Sequence, residues 1–345
     1  MLEIHDISRA FGHVQALDHV SFTVAPGGMT GFIGGNGAGK TTTMRIVMGI
    51  IAADSGRVLN DGHPITPADI HTFGYMPAER GLYPKMAIAK QLTYFAEIKG
   101  TPKEAATRAA HDLLGRLGLS QRANEPVANL SLGNQQRVQI AASLVGDPKL
   151  LIMDEPFSGL DPIAVDAVGE ILHDYADRGV PILFSSHQLD LVERLCDHLV
   201  IIAAGQIRAA GSREALLQAH AGRTYEITAG PLPWLSLTEH VVNVVPPTGV
   251  GESGATTRFS VDVGTDQQAD DVAQTVLRRA LSEAPVHGFG RWTPTLADVF
   301  REIIVDVTPS PSQAENDPAA QAATKPRRGL LARRLSTTHE SETHR

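Results

Sequence analysis

The sequence predicts an α/β fold with a largely parallel sheet, followed by a smaller α+β domain and a loose tail, and three observations predict it. The 345 residues exceed the span of about 100–200 residues expected of one domain. Residues 1–215 alternate short apolar runs with glycine-punctuated helical stretches, the pattern of strands joined by helices. From Arg223 the chain changes to short alternating runs and two helical stretches, too few residues for a second large core.

Taken in order, Met29–Ile33 is a strand-length apolar run ahead of a glycine-rich turn, and Thr41–Met48 after it reads as a helix. Leu150–Asp154, Val180–Ser186 and Leu199–Ala204 are further apolar runs of strand length, far short of the roughly 18–20 residues that cross a bilayer. In the accessory domain, residues 223–305, the short runs are Tyr225–Thr228, Val241–Val245, Thr257–Val263 and Val286–Trp292. Helices are expected over Gln267–Ala284 and Thr295–Val305. Residues 308–345 are Pro, Ser, Gln, Ala, Thr and Arg with little to bury, which predicts a disordered basic and polar tail. Its segment Lys325–Leu335, with five basic residues and three leucines, reads either as solvated tail or as a weak attachment to anionic lipid.

Composition narrows the function classes. The formal charge is −8, from 30 basic and 38 acidic residues, which argues against a surface built to follow a phosphate backbone, so no direct nucleic-acid binding is expected. One cysteine, Cys196, excludes an intramolecular disulfide and a multi-cysteine zinc site and fits a reducing cytosol. The start, Met1-Leu-Glu-Ile-His-Asp6, lacks the basic and apolar segments of a secretory signal.

Chemistry concentrates in two places. Gly34-Gly35-Asn36-Gly37-Ala38-Gly39-Lys40-Thr41 matches G-x-x-x-x-G-K-[ST] between a strand and a helix, and Thr42 continues into that helix. Glycines let the backbone N–H groups face a phosphate, the helix N-terminus adds positive potential, Lys40 reaches the outer phosphates, and Thr41 can place its hydroxyl on Mg²⁺. The second place is the end of Leu150-Leu-Ile-Met-Asp154-Glu155, where two carboxylates follow a buried strand beside the loop. In a P-loop ATPase the first acid, here Asp154, holds Mg²⁺, and the second, here Glu155, polarises the attacking water.

Between these lies Asn129-Leu-Ser131-Leu-Gly133-Asn134-Gln-Gln-Arg137, with Ser158-Gly-Leu-Asp161 and His187 further on. In this order and spacing, residues 1–215 resemble the ATP-binding cassette (ABC) ATPases. The resemblance implies a P-loop NTPase fold of the ABC-ATPase type with a helical subdomain, binding ATP and Mg²⁺. It implies that Ser131 and Gly133 form the signature segment, which caps the γ-phosphate of ATP held by a second copy, in a head-to-tail homodimer or paired cassette. Asp161 would lie at that dimer seam, and His187 would contact the γ-phosphate. Phe11 occupies the place of an aromatic that stacks on adenine, with core packing as its alternative.

Two departures accompany the resemblance. The signature has Leu132 and Asn134 where the family usually has glycine and glutamine. At Gly74-Tyr-Met-Pro77-Ala78-Glu79, alanine stands where the family places the Q-loop glutamine, so either Glu79 substitutes or the loop works without that contact. Leu82 and Tyr83 fall where the helical subdomain receives a coupling helix, or else pack internally. Residues 223–305, ending in Pro294-Thr-Leu-Ala-Asp298-Val-Phe300, resemble the accessory domain of bacterial exporter cassettes of the sodium-efflux and anthracycline-resistance types; a ligand-binding regulatory domain is the competing reading. His240 and His287 are isolated there and suggest no metal cluster. The function implied is the ATPase subunit of an exporter, peripheral on the inner face of the cell membrane, driving a separate polytopic permease. The competing class is a soluble cassette switch acting on ribosomes or DNA.

Overall fold

The computed structural model describes residues 1–79, 81–251 and 254–305, so the expected tail and its basic segment lie outside the described residues. Its centre is a six-stranded sheet in the order Gln206–Ser212, His198–Ala203, Met29–Ile33, Ile182–Ser186, Leu150–Asp154, Phe73–Met76. Every neighbouring pair is parallel except the first, which is antiparallel. The three central strands are buried at every position, as expected when both faces are covered.

Alternate residues of those strands feed two different cores. Met29, Ile33, Leu151, Met153, Ile182 and Phe184 face the helices, where Leu92, Leu114, Val138 and Leu172 pack. Phe32, Leu150, Ile152, Leu183, Val200 and Ile202 face the other way, toward the phosphate-loop helix Lys40–Val47 and a second sheet. Each fully buried large side chain contributes about 1.5–3 kcal/mol, so the period-two alternation sets the strand faces firmly.

The sequence reading did not foresee that second sheet. It is antiparallel, in the order Val14–Val24, Leu2–Phe11, Ser55–Asn60, His63–Pro64. Register shifts between Ile4 and Ile7 and between Ile7 and Arg9 break the apolar alternation in the sequence, and only Leu2, Ile4 and Ile7 of its first strand are fully buried. It packs on the parallel sheet through contacts such as Phe22 on Phe32, with ring centroids 5.2 Å apart.

From Thr224 the chain builds a third sheet, antiparallel, in the order Val241–Gly251, Gly254–Val261, Thr224–Ala229, Val286–Arg291. The helix Asp266–Glu283 lays Ala269, Ala273, Val276 and Ala280, a spacing of three and four residues, over Tyr225, Ile227 and Phe259. The opposite face is polar, with Thr228 bonded to Thr256 and Glu226 paired with Arg258. The last helix, Leu296–Val305, returns to the cassette: Leu296 joins its helix-side core, and the Leu296 N–H donates to Glu193 Oε2 at 3.0 Å.

The edge strand Phe73–Met76 meets the helix Leu132–Leu144 at Gly74, where a Cβ would collide with the Ser143 carbonyl oxygen and come within 2.6 Å of Leu151 Cδ2. Gly74→Ala is therefore expected to lower the stability read from urea unfolding by about 1–3 kcal/mol, since the carbonyl cannot yield without moving backbone. An unchanged midpoint would show that strand and helix are free to separate.

Candidate nucleotide site

The parallel strands Met29–Ile33, Leu150–Asp154 and Ile182–Ser186 end at one edge of the sheet, and that edge carries the candidate site. After Ile33 the chain turns through glycines whose conformations or contacts demand them. Gly39 caps the helix Lys40–Val47 with φ 112°, and a Cβ on it would come within 2.5 Å of Leu17 Cδ2. Gly34 lies against the Ile202 carbonyl, where a Cβ would be only 2.5 Å away. With no side-chain cap on this helix, its first-turn amides lack a side-chain acceptor and suit an anion.

A cavity of about 240 Å³ opens here, lined by the loop from Gly35 to Thr42 together with Ala16, Ala78, Asp154 and Glu155. Lys40 is buried, and its Nζ donates to the Gly34 carbonyl at 2.6 Å and the Gly35 carbonyl at 3.2 Å. Burial lowers its pKa, while the nearby Glu155 and Asp154 charges oppose that shift. Asp154, only 2% exposed, accepts from Thr41 Oγ1 at 2.6 Å and from Ser185 Oγ at 2.5 Å. Buried carboxylates of this kind need such charge-assisted bonds.

Glu155 follows with φ 53°, a left-handed conformation that costs a non-glycine residue energy unless its surroundings enforce it. Two groups enforce it: the Glu155 N–H donates to Ser185 Oγ at 2.9 Å, and Gln136 Nε2 donates to the Glu155 carbonyl at 3.1 Å and the Pro156 carbonyl at 2.9 Å. The turn directs the carboxylate to His187, whose Nδ1 lies 2.9 Å from Glu155 Oε2; the His187 side chain is 59% exposed.

Other sequence candidates lie outside this cavity's lining. Ser131 caps the helix Leu132–Leu144, accepting from the Asn134 N–H, and Gly133 sits where a Cβ would be 3.1 Å from the Gly159 carbonyl. Asp161 caps the helix Pro162–Asp177 through the Ala164 N–H and pairs with Arg137 at 2.9 Å; both interactions hold its carboxyl below the usual range. Phe11 is 45% exposed, with the Arg9 guanidinium 4.9 Å from its ring centre, so it is not a core residue. Glu79 turns away from the cavity to a two-oxygen pair with Arg45 at 2.7 and 2.8 Å, and it is Ala78 that lines the cavity.

The sequence reading passed over Ser185, Gln136 and Gln139. A hint existed for the serine, since Ser185-Ser186 ends an otherwise apolar run directly before His187. The two glutamines stand three apart on one helix face and are buried, a position where unpaired amides are unfavourable.

The chemistry of these donors fits a hard divalent cation. Thr41 and Asp154 offer hydroxyl and carboxylate oxygens, and Mg²⁺ completes its shell with phosphate and water rather than with a full protein cage.

Ser185→Ala removes one bond to Asp154 and one to the Glu155 N–H, so a loss of about 1–3 kcal/mol in urea unfolding is expected. ATP turnover should fall with it. Glu79→Ala should leave ATP turnover unchanged, because the side chain faces Arg45; a drop at saturating Mg²⁺ would return it to the site.

Comparison with known proteins agrees with this geometry. Residues 17–158 match the family model described as ABC transporter. An uncharacterized ABC transporter ATP-binding protein, YhaQ of Bacillus subtilis, is 40% identical over 206 residues, which are 60% of this chain and 69% of that one. A Nod factor export ATP-binding protein I of Paraburkholderia xenovorans is 34% identical over 253 residues, 72% of this chain and 83% of that one. Among solved structures, an ATP-binding subunit of an ABC transporter superposes with TM-score 0.60 at 32% identity, covering 64% of this chain and 93% of that one. A phosphate loop, a strand-end carboxylate pair and a whole-cassette likeness thus converge, and the chain belongs to the ATP-binding proteins of ABC transporters, the ATPases of that family.

Proposed function

We propose that this protein is the ATP-hydrolysing subunit of an exporter, that two copies or a paired cassette close on two Mg-ATP, and that closure drives a separate membrane permease. One observation carries the reading. The cavity gathers Lys40, Thr41, Asp154 and Glu155 on one side, while Ser131 and Gly133 stand at another helix start outside its lining. A helix N-terminus with a hydroxyl is suited to an anion, and the exposed Leu132 (63%) beside it suits contact with another chain.

In this reading the loop amides and Lys40 take the outer phosphates, Lys40 exchanging its carbonyl partners for phosphate oxygens. Mg²⁺, held by Thr41 and Asp154, would neutralise charge on the phosphates. Water attacks the γ-phosphorus in line: a water oxygen–phosphorus bond forms, the bond to the bridging oxygen breaks, and the water proton passes to Glu155. His187 steadies the Glu155 carboxylate and reaches the γ-phosphate. ADP and phosphate leave. Ser131 and Gly133 of the second copy stabilise the spreading charge, and Phe11 offers its open face to adenine.

Export rather than import is supported by the likeness to the Nod factor export protein. No helix among the described residues is long and apolar enough to cross a membrane, which agrees with a permease on another chain and a peripheral position for this one. The permease would dock on the groove beside Leu82, which packs against the helix-side core, and Tyr83, which is half exposed. The third sheet and its helix would support or regulate the dimer.

Glu155→Gln is expected to retain ATP, to lose turnover by about 10²–10⁴-fold, and to run as a dimer in light scattering with Mg-ATP. A variant with full turnover would remove Glu155 from its role. Co-purification of this variant with ribosomes rather than with a multi-spanning protein would replace the transporter reading by a soluble switch.

A further inference from the structure

The hairpin of strands Leu2–Phe11 and Val14–Val24 meets the nucleotide cavity near its turn. Phe11 pairs with Val14 and Ala10 with Gln15, and the next residue, Ala16, lines the cavity. The Ala16 carbonyl oxygen lies 2.8 Å from where a Cβ on Gly39 would stand, so the hairpin rests on the start of the phosphate-loop helix. A ring as exposed as that of Phe11, at the end of such a hairpin, is free to change rotamer unless something holds it.

Arg9 and Asp54 supply that hold. The Arg9 guanidinium lies 4.9 Å from the Phe11 ring centre, and its Nη1 donates to Asp54 Oδ1. Asp54 Oδ2 accepts from the Ala10 N–H at 2.7 Å, and the Asp54 N–H donates to the Ser8 carbonyl at 2.9 Å, so one residue grips Ser8, Arg9 and Ala10 in succession. The Ala10 amide, and after it the Arg9 guanidinium, keep the Asp54 carboxyl below its usual range. Arg9 Nε, by contrast, is buried without a hydrogen-bond partner. A donor left in that condition is costly, so the guanidinium is placed by the ring and the carboxylate rather than by its own full hydrogen bonding. Asp54 also has a telling place in the chain: it directly precedes the strand Ser55–Asn60, at the end of the turn that leaves the phosphate-loop helix Lys40–Val47. The strand that carries Phe11 and the loop that faces the phosphates are thus tied together at both ends of one helix.

We propose that Asp54 and Arg9 form a brace that sets the Phe11 ring in the attitude in which it stacks on the nucleobase, with the guanidinium on one ring face and the base on the other. This rests on the reading of Phe11 given above and adds what positions it. A nucleotide lying across ring and loop needs a fixed distance between them, which the double tie provides. The cation also draws on the π-electrons of the ring, leaving the free face better matched to an electron-rich purine. Neither Arg9 nor Asp54 touches the nucleotide in this arrangement; both are positioning residues that act through Phe11.

The test compares two probes on the full chain: Mg-ATP, titrated by calorimetry, and Mg-tripolyphosphate, which offers phosphates without a base, measured by displacement of ATP. In Asp54→Asn the amide oxygen still accepts from the Ala10 N–H, while the amide nitrogen faces the Arg9 donor and turns it away. The dissociation constant of ATP should rise about fivefold, the value of an exposed cation–π contact, with the tripolyphosphate constant and the thermal midpoint of the free protein unchanged. Arg9→Met, which leaves the Asp54 bonds to Ser8 and Ala10 in place, should do the same and decides the matter if Asp54→Asn does not fold. Arg9→Lys keeps a cation over the ring and should lose less than about twofold. Equal weakening of ATP and tripolyphosphate would make the brace merely structural and overturn the proposal. ATP affinity unchanged in Arg9→Met but lowered in Phe11→Ala overturns the brace and leaves the stacking reading standing; ATP affinity unchanged in Phe11→Ala overturns both.

Discussion

The Asp154 carboxylate is the point on which the site's geometry depends. Nearly inaccessible to water, it is held by hydroxyls from the phosphate-loop helix and from the neighbouring strand, so it ties three elements together at one sheet edge. A buried carboxylate deprived of such partners would be strongly unfavourable, which makes the register of the parallel strands and the position of the loop mutually dependent. The strained turn at Glu155 is a consequence: the same serine that donates to Asp154 accepts from the Glu155 N–H, so the two acids are oriented by one hydroxyl.

The helix Leu132–Leu144 forms the second organising element. Over four residues it sends Gln136 to the Glu155 turn, Arg137 to Asp161, and Gln139 to the Pro77–Glu79 loop. Its buried face is therefore partly polar, which explains why it lacks a strong apolar stripe while being packed on Val138, Ile140 and Leu144. A rigid helix joined to three loops moves them together, the physical requirement for communication between a nucleotide, a neighbouring chain and a groove at the helical side.

How far these features could be read from the sequence follows from their range along the chain. The phosphate loop is eight consecutive residues, and Leu150–Asp154 is one apolar run, so local pattern suffices for both. Ser185 and Asp154 are 31 residues apart, and Gln139 and Pro77 are 62 apart; nothing local marks either pair. Glu79 illustrates the limit: adjacent in sequence to Ala78, it leaves the cavity because a single guanidinium nitrogen of Arg45, 34 residues away, donates to both of its oxygens. In the antiparallel sheet bulges interrupt the alternation between Ile4 and Ala10, although Val20-Ser-Phe22-Thr-Val24 alternates regularly and was legible; the strands and helices of the third sheet, with a capping Thr265, stand within a few residues of expectation, apart from the longer Val241–Gly251.

The lone cysteine has a practical meaning of its own. Cys196 is 1% exposed, its thiol is pushed well above the usual pKa by burial, and it abuts the central strand at Gly31, where a Cβ would lie 2.9 Å from its sulfur. A protonated thiol shut away in this manner is inert to alkylating reagents until the helix Leu189–Leu195 parts from the strand Met29–Ile33. Its labelling rate is thus a built-in clock for opening of the domain's middle, readable in whole cells and in the unmodified protein.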